Sequence, residues 1–281
     1  MKKISFVSIF IAGLIGTFFI LRLYSPATLP KLGELQNKIE EVKKEVFAPP
    51  PLRASQEYET SFLTRAGVLK WTNIQRANNG SPGLTINTEL NTAASLRAKD
   101  MFENQYFAHV SPTGKDAEHL VDCAGYEFIM IGENLALGNF KDDEALVQAW
   151  MNSPGHRANL LNYRFQEIGI SVLRGTFEGR STWIAVQIFG RPVSACPQAD
   201  TSLKSEVEST KLEINSLKGN LDSLAAEINS MHQQRGPEYN MKIEEYNKLV
   251  SDYNDLLSVT KNLVLEYNNQ VKLSNLCISG S

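Results

Sequence analysis

Histidine and cysteine are scarce in this sequence, four and three among 281 residues, and an excess of positive charge is missing altogether. Lysine and arginine number 28 against 31 aspartate and glutamate, with both signs mixed along the chain. No basic stripe exists to neutralise phosphates, which argues against nucleic acid as a partner. No cysteine closely follows the apolar stretch at the N-terminus, so a lipid-modified N-terminal cysteine is not indicated. A strained nucleophile elbow and an oxyanion loop are also missing. Ser111 and Ser153, although close in sequence to histidines, therefore give little support to a Ser-His-Glu hydrolase. What is present, 42% hydrophobic and 21% charged residues, is an ordinary globular composition, and the length suits about two domains.

Residues Ile4 to Leu21 are uncharged and almost wholly apolar. As a helix they would span roughly 27 Å, near the thickness of bilayer hydrocarbon. Lys2 and Lys3 precede the run, which keeps the short N-terminus cytoplasmic and sends everything after Arg22 across the membrane. Residues 1–24 thus read as a signal anchor, with an extracytoplasmic remainder. The alternative is a cleaved signal peptide and a secreted protein, since Ser25-Pro26-Ala27 offers small residues, but the run exceeds the usual apolar region and Arg22 interrupts it.

Residues 25–54 read as a stalk and linker. Leu32, Leu35, Ile39, Val42 and Val46 alternate three and four apart among Lys and Glu, a coiled-coil seam of about two heptads. So short a seam needs self-association or packing on another part of the chain. Pro49-Pro50-Pro51 breaks it. From 55 to 193, helix and strand signals alternate. Phe62, Ala66, Leu69, Ile74 and Ala77 mark one helix, which ends at the breakers Asn78 to Gly83. Leu90, Ala93, Ala94, Leu96, Ala98, Met101 and Phe102 mark a second, and a third runs from about Asp142 to Trp150. Ile168–Leu173 and Thr182–Phe189 read as an antiparallel hairpin. Helices first and strands last make an α+β layer structure.

Residues 196–277 carry the clearest pattern. Leu203, Val207, Thr210, Ile214, Leu217, Leu221, Leu224, Ile228 and Met231 form one heptad seam. Tyr239, Ile243, Tyr246, Val250, Tyr253, Leu257, Thr260, Val264, Tyr267 and Val271 form another, after a break at Arg235-Gly236-Pro237. Folding back at the break gives an antiparallel helical hairpin. A register with Met231 opposite Ile243 and Leu203 opposite Val271 sets Cys196 beside Cys277, although slips of one heptad fit the seams equally well. Three cysteines allow three single pairings; the cysteines favour this register among those the seams allow, so Cys196–Cys277 is the expected bond and Cys123 the odd thiol.

His232 lies beside the hairpin turn as a solvated residue, and His119 on a short helix. His109, in Tyr106-Phe-Ala-His-Val-Ser-Pro-Thr-Gly114, and His156, in Ser153-Pro-Gly-His-Arg-Ala-Asn159, stand at element edges, where sites are commonly built. Phe107-Ala-His-Val-Ser-Pro112, Gly132-Glu-Asn-Leu-Ala136, Ala149 to Asn159, Glu167-Ile-Gly-Ile and Trp183 to Gly190 together resemble the CAP superfamily, over about 135 residues. That superfamily includes cysteine-rich secretory proteins, insect venom antigens, plant pathogenesis-related proteins and many bacterial secreted proteins. The resemblance, to a bacterial membrane-anchored member with a C-terminal coiled-coil hairpin, implies a three-layer α-β-α sandwich.

It further implies a central cleft with two histidines and two glutamates. His109, Glu133 and His156 match three of these. The second glutamate often lies three residues after the tryptophan matched by Trp150, where this chain has Ser153. Two imidazoles and one carboxylate are a legitimate zinc set with an open position, though the missing acid leaves fewer groups to polarise water. Asn134 is expected to bond backbone in a Glu-Asn turn, Trp150 to lie in the core and Gly155 to permit a sharp turn. The plain reading of His109, Glu133 and His156 is a buried hydrogen-bonded triad holding the sheet to the helices.

Three functions follow. One is a binding module that holds a lipid, peptide, envelope component or metal in the cleft of His109, Glu133, His156 and Ser153 without turnover. Another is a zinc-dependent hydrolase using the same cleft. The third is an envelope spacer or adhesion protein acting through the hairpin, which reaches roughly 50 Å at helical rise.

Overall fold

The computed structural model describes residues 44–231 and 236–279. The expected anchor, most of the expected stalk and His232 lie outside these. Among the described residues no helix is long and apolar enough to cross a membrane. The described chain forms two units, residues 44–197 with 275–279, and residues 198–274.

In the first unit the strands are β1 (Glu45–Phe47), β2 (Leu52–Arg53), β3 (Thr85–Ile86), β4 (Phe128–Leu137), β5 (Glu167–Phe177) and β6 (Arg180–Pro192). They form one sheet in the order β1-β4-β6-β5-β3, and β2 joins β1 on the same edge of β4. The long strands pair antiparallel, whereas the three short strands pair parallel to their neighbours. β5 and β6 meet at Glu178-Gly179, both at positive φ (50° and 76°), as the two-residue turn of a twisted hairpin requires.

The helices are α1 (Arg65–Asn78), α2 (Thr88–Glu103), α3 (Ala117–Cys123), α4 (Asp143–Asn152) and α5 (Pro154–Leu161). Side chains alternate across a strand, and here both faces of the sheet are covered. Met130 and Ala136 of β4 join Trp183, Ala185 and Phe189 of β6 in a core shared with α1, α4 and α5. Ile131 and Leu135 join Ile184, Val186 and Ile188 in a second core with α2 and α3. A sheet between two helical layers is the expected three-layer arrangement.

Four of these five helices begin on a side-chain cap. Thr64, Asn87, Asp116 and Asp142 accept from the backbone N–H three residues on, meeting donors the helix itself cannot satisfy. α5 is the exception: Pro154 starts it without needing a donor, and Ser153 makes no cap bond.

In three places the sequence points elsewhere. Phe62 precedes α1 and is 68% exposed, and the buried face of α1 is Val68, Thr72 and Arg76. Arg76 is tolerated because its guanidinium donates to the carbonyls of Pro82, Leu160, Asn162 and Phe165. Glu133-Asn134 is not a turn but the middle of β4, which is buried at every position; a strand covered on both faces shows no alternation to betray it. Val46 does not end a helical stalk. It pairs with Ile131 in β1, because the proline run that follows disfavours helix in the residue before it and the edge of β4 offers unpaired backbone groups.

The second unit is the helical hairpin, formed from α6 (Thr201–Ser230) and α7 (Pro237–Ser279) up to residue 274. Leu203 and Val207 pack with Val264, Tyr267 and Val271; Ile214, Leu221, Leu224 and Ile228 pack with Tyr246, Tyr253 and Leu257. The predicted seams are thus the buried faces. Asp200 N–H donates to Gln270 at 2.8 Å, and Lys242 bridges to Glu227. The tail of α7, from 275, belongs to the first unit, where Cys277 is disulfide-bonded to Cys196 as expected. Ile278 packs beside them on Ile129.

Candidate functional site

The site forms where the chain crosses the exposed edge of β4. Between β1 and β2 this N-terminal strap advances from Phe47 to Leu52, while β4 advances only from Gly132 to Ala136. The strap therefore holds one residue more than the strand beneath it, and Ala48–Pro51 arch over Glu133. Prolines suit an arch, since they cannot donate to the ladder.

Glu133 is completely buried. One of its carboxylate oxygens accepts from Arg97 Nε of α2 at 3.0 Å and the other from His109 Nδ1 at 2.6 Å. Arg97 is also completely buried; its Nη1 donates to the Lys115 carbonyl at 3.1 Å. Burial works against the Arg97 charge, but Glu133 and Tyr106 outweigh it and raise its pKa. On the far side of His109, Nε2 donates to the Pro49 carbonyl at 2.5 Å.

His156, in the first turn of α5, is 1% exposed. Its Nδ1 shares a hydrogen bond of 2.8 Å with Ser153 Oγ, while Nε2 is buried without a partner in the described structure, as is Arg97 Nη2. Asn134, on the opposite face of β4 from Glu133, donates to the His156 carbonyl and to Gln187, which in turn reaches Thr72. Asn159 ties the strap to this network, with Nδ2 lying 3.1 Å from both the Phe47 carbonyl and Asn134 Oδ1. Residues from the strap, α1, α2, β4, β6 and α5 are thereby fixed around one stretch of β4.

The stretch 69–189 matches the family model described as CAP, Cysteine-rich secretory protein family. These residues form a CAP domain. Over 116 residues the chain is 38% identical to the uncharacterized protein YkwD of Bacillus subtilis (strain 168), covering 41% of this chain and 43% of the relative. Over 107 residues it is 35% identical to the uncharacterized membrane protein YlbC of the same organism, covering 38% of this chain and 31% of the relative. The chain thus spans less than half the length of either curated relative. A solved extracellular protein containing an SCP domain, from Bacillus anthracis str. Ames, shows 32% identity and a TM-score of 0.38, covering 45% of this chain and 39% of that one.

In this CAP domain His109 and Glu133 are in direct contact, and Ser153 touches His156. Zinc does not fit the set as it stands. Both oxygens of Glu133 and both nitrogens of His109 already have partners, one of them a buried guanidinium. Among the described residues no group of three or more His, Cys, Asp or Glu is arranged to hold a metal ion. Trp150 is core, as expected, with its Nε1 donating to the Leu135 carbonyl. Gly155 makes no sharp turn. It sits inside α5, and a Cβ there would come 2.7 Å from Pro49 Cβ, so its lack of a side chain makes room for the strap. His119 lies on α3, exposed and next to Cys123.

Sequence reasoning missed Arg97, Asn159, Gln187 and the strap. A signal for Arg97 exists: it stands on the apolar stripe of Leu90, Ala93, Ala94, Ala98 and Met101, where a charge needs a buried partner.

Burial, and then the charge of His109, push the pKa of His156 from 6.5 down to about 4. The unfolded chain takes up this proton near pH 6.5 and the folded chain only near 4. The stabilising contribution is therefore complete above pH 6.5 and is lost as the pH falls through that window, by about 3 kcal/mol. Urea unfolding of wild type and His156→Gln at pH 7, 5.5 and 4 should show this extra loss in wild type alone. Parallel pH profiles would reject it.

Proposed function

We propose that the protein is an extracytoplasmic, membrane-tethered CAP-domain protein that holds a ligand in the cleft of His109, Glu133, His156 and Ser153 without turning it over. The observation that carries this reading is the pair of buried polar atoms without a partner, His156 Nε2 and Arg97 Nη2. A buried polar group without a hydrogen bond is costly, and a polar ligand group would meet that need. Turnover is poorly supported. Ser153 bonds His156, but the carboxylate that would orient the ring belongs to the other histidine. Tethering is supported by the apolar run Ile4 to Leu21 and by the name of one relative as a membrane protein. The disulfide suits an oxidising compartment.

Full chain extracted in mild detergent should retain a bound mass beyond its own in native mass spectrometry, and His156→Phe, which fills the same space without nitrogen, should release it. Equal retention by both chains sinks the cleft as the binding site. Cys123 is free and exposed, so a membrane-impermeant maleimide should label it on intact bacteria. Labelling only after lysis would put the domain on the wrong side.

A further inference from the structure

We propose that the cleft is a groove for an extended, proline-containing peptide, and that residues 45–53 are its resident occupant in cis. This deepens the binding reading above and rests on it.

Four observations converge. First, the strap is held chiefly through its main chain. β1 and β2 add to β4 by parallel backbone pairing, and the carbonyls of Phe47 and Pro49 receive side-chain donors from Asn159 and His109. Contacts of this kind do not depend on which side chains the strap carries, the property that lets an edge strand accept a foreign peptide.

Second, the contact surface is shaped for proline. Gly155 leaves open the space that Pro49 fills, and no donor is asked of residues 49–51. A proline run is pre-extended, so it loses little entropy on docking.

Third, beyond Phe47 edge-on to Phe165 and Leu52 against the first core, the strap's side chains are weakly engaged. Val46 is 41% and Phe47 37% exposed. The flanking ion pairs, Lys44 with Asp122, Glu45 with Arg164 and Arg53 with Glu178, are all partly solvated, and such pairs contribute little.

Fourth, the groove continues past the arch. A cavity of about 350 Å³ lined by Leu52, Tyr58, Phe140, Ala149 and Ser153 lies along the outgoing strap. His156, next in sequence to the Gly155 that faces Pro49, keeps Nε2 buried without a partner. The resident segment thus leaves both space and hydrogen-bonding capacity that a better-fitting peptide would use.

The probe is a fluorescein-labelled peptide with the sequence of residues 44–54, titrated by anisotropy into full chain in detergent. Wild type should bind it weakly, because the cis strap competes. Val46→Ser/Phe47→Ser, which removes the strap's contact with Phe165 and leaves the residues lining the cavity unchanged, should bind at least tenfold more tightly. Adding Gly155→Val, which blocks the seat of Pro49, should remove the gain. A peptide with alanine in place of Pro49, Pro50 and Pro51 should bind at least tenfold more weakly.

Amide exchange on wild type supplies a readout that does not depend on the variants folding. The amides of 45–47 and 52–53 should exchange at least a hundredfold faster than those of Asn134 and Ala136, which lie on the side of β4 that faces β6. Strap amides as slow as those of β4, or a folded double variant that ignores the probe, would overturn the proposal. Retention of a non-protein mass by the same wild-type chain would then keep the broader binding reading, with a ligand of another class.

Discussion

Replacing Arg97 by methionine should lower the unfolding free energy by about 3–5 kcal/mol in urea at pH 7. The pair it forms with Glu133 is completely buried on both sides. Taking two charges out of water is costly, and the attraction between them offsets that cost only while both remain. Methionine matches the length of the arginine stem but leaves the buried carboxylate with His109 as its remaining side-chain partner. The double variant Arg97→Met/Glu133→Gln removes the stranded charge and should recover at least half of the loss, although Gln cannot hold His109 as a carboxylate does. A single-variant loss under about 1 kcal/mol, or no recovery in the double, would show that Glu133 is held by other means. The exchange rates of the strap give a second readout. The chain of contacts runs Arg97, Glu133, His109, Pro49, so releasing the first member should speed exchange at 45–47 before it affects β6.

That chain of contacts also shows which parts of the site a sequence discloses. The hairpin of α6 and α7 was legible because its pattern is local: a heptad repeat states which face is buried, and the buried residues are those of the seam. His109, Glu133 and His156 were reached through motif blocks, which carry identity but not surroundings. Nothing in Gly132-Glu-Asn-Leu-Ala136 says that Glu133 and Asn134 face opposite helical layers, because a strand buried throughout lacks the alternation from which facing is read. Arg97 could have been suspected from its place on an apolar stripe, but its partner lies 36 residues away, beyond any local pattern. The strap was hidden for a different reason. Pro49-Pro50-Pro51 carries a strong linker signal, and the local rule that a proline run is extended was correct. What the rule omits is that an extended segment can lie along an exposed strand edge as readily as in solvent.

The disulfide was legible because one of the registers that the seams allow sets the two cysteines side by side, each just outside its seam. Cys277→Ser should lower the stability of the unit formed by 44–197 and 275–279 by about 2–5 kcal/mol. The bond joins residues 81 apart, and on the chain-entropy account closing so long a loop restricts the unfolded chain by about 4.5 kcal/mol, an upper figure. A further loss is local: Ile278, 5% exposed, packs on Ile129 at the end of the sheet, and the bond next to it holds that contact in place. Cys123→Ser is the matched control. Its thiol is free and exposed, so the change should stay within about 0.5 kcal/mol of wild type. Urea unfolding followed by the fluorescence of Trp71, Trp150 and Trp183, all of which lie in the first unit, reads this unit without interference from the hairpin. If Cys277→Ser matches Cys123→Ser in stability, the tail is held by Ile278 and its neighbours alone and the bond only records their proximity. If it falls as expected, reduction also becomes a handle on the sheet edge, because Ile129 lies in β4 beside Met130 and Ile131, the residues that pair with β1 of the strap.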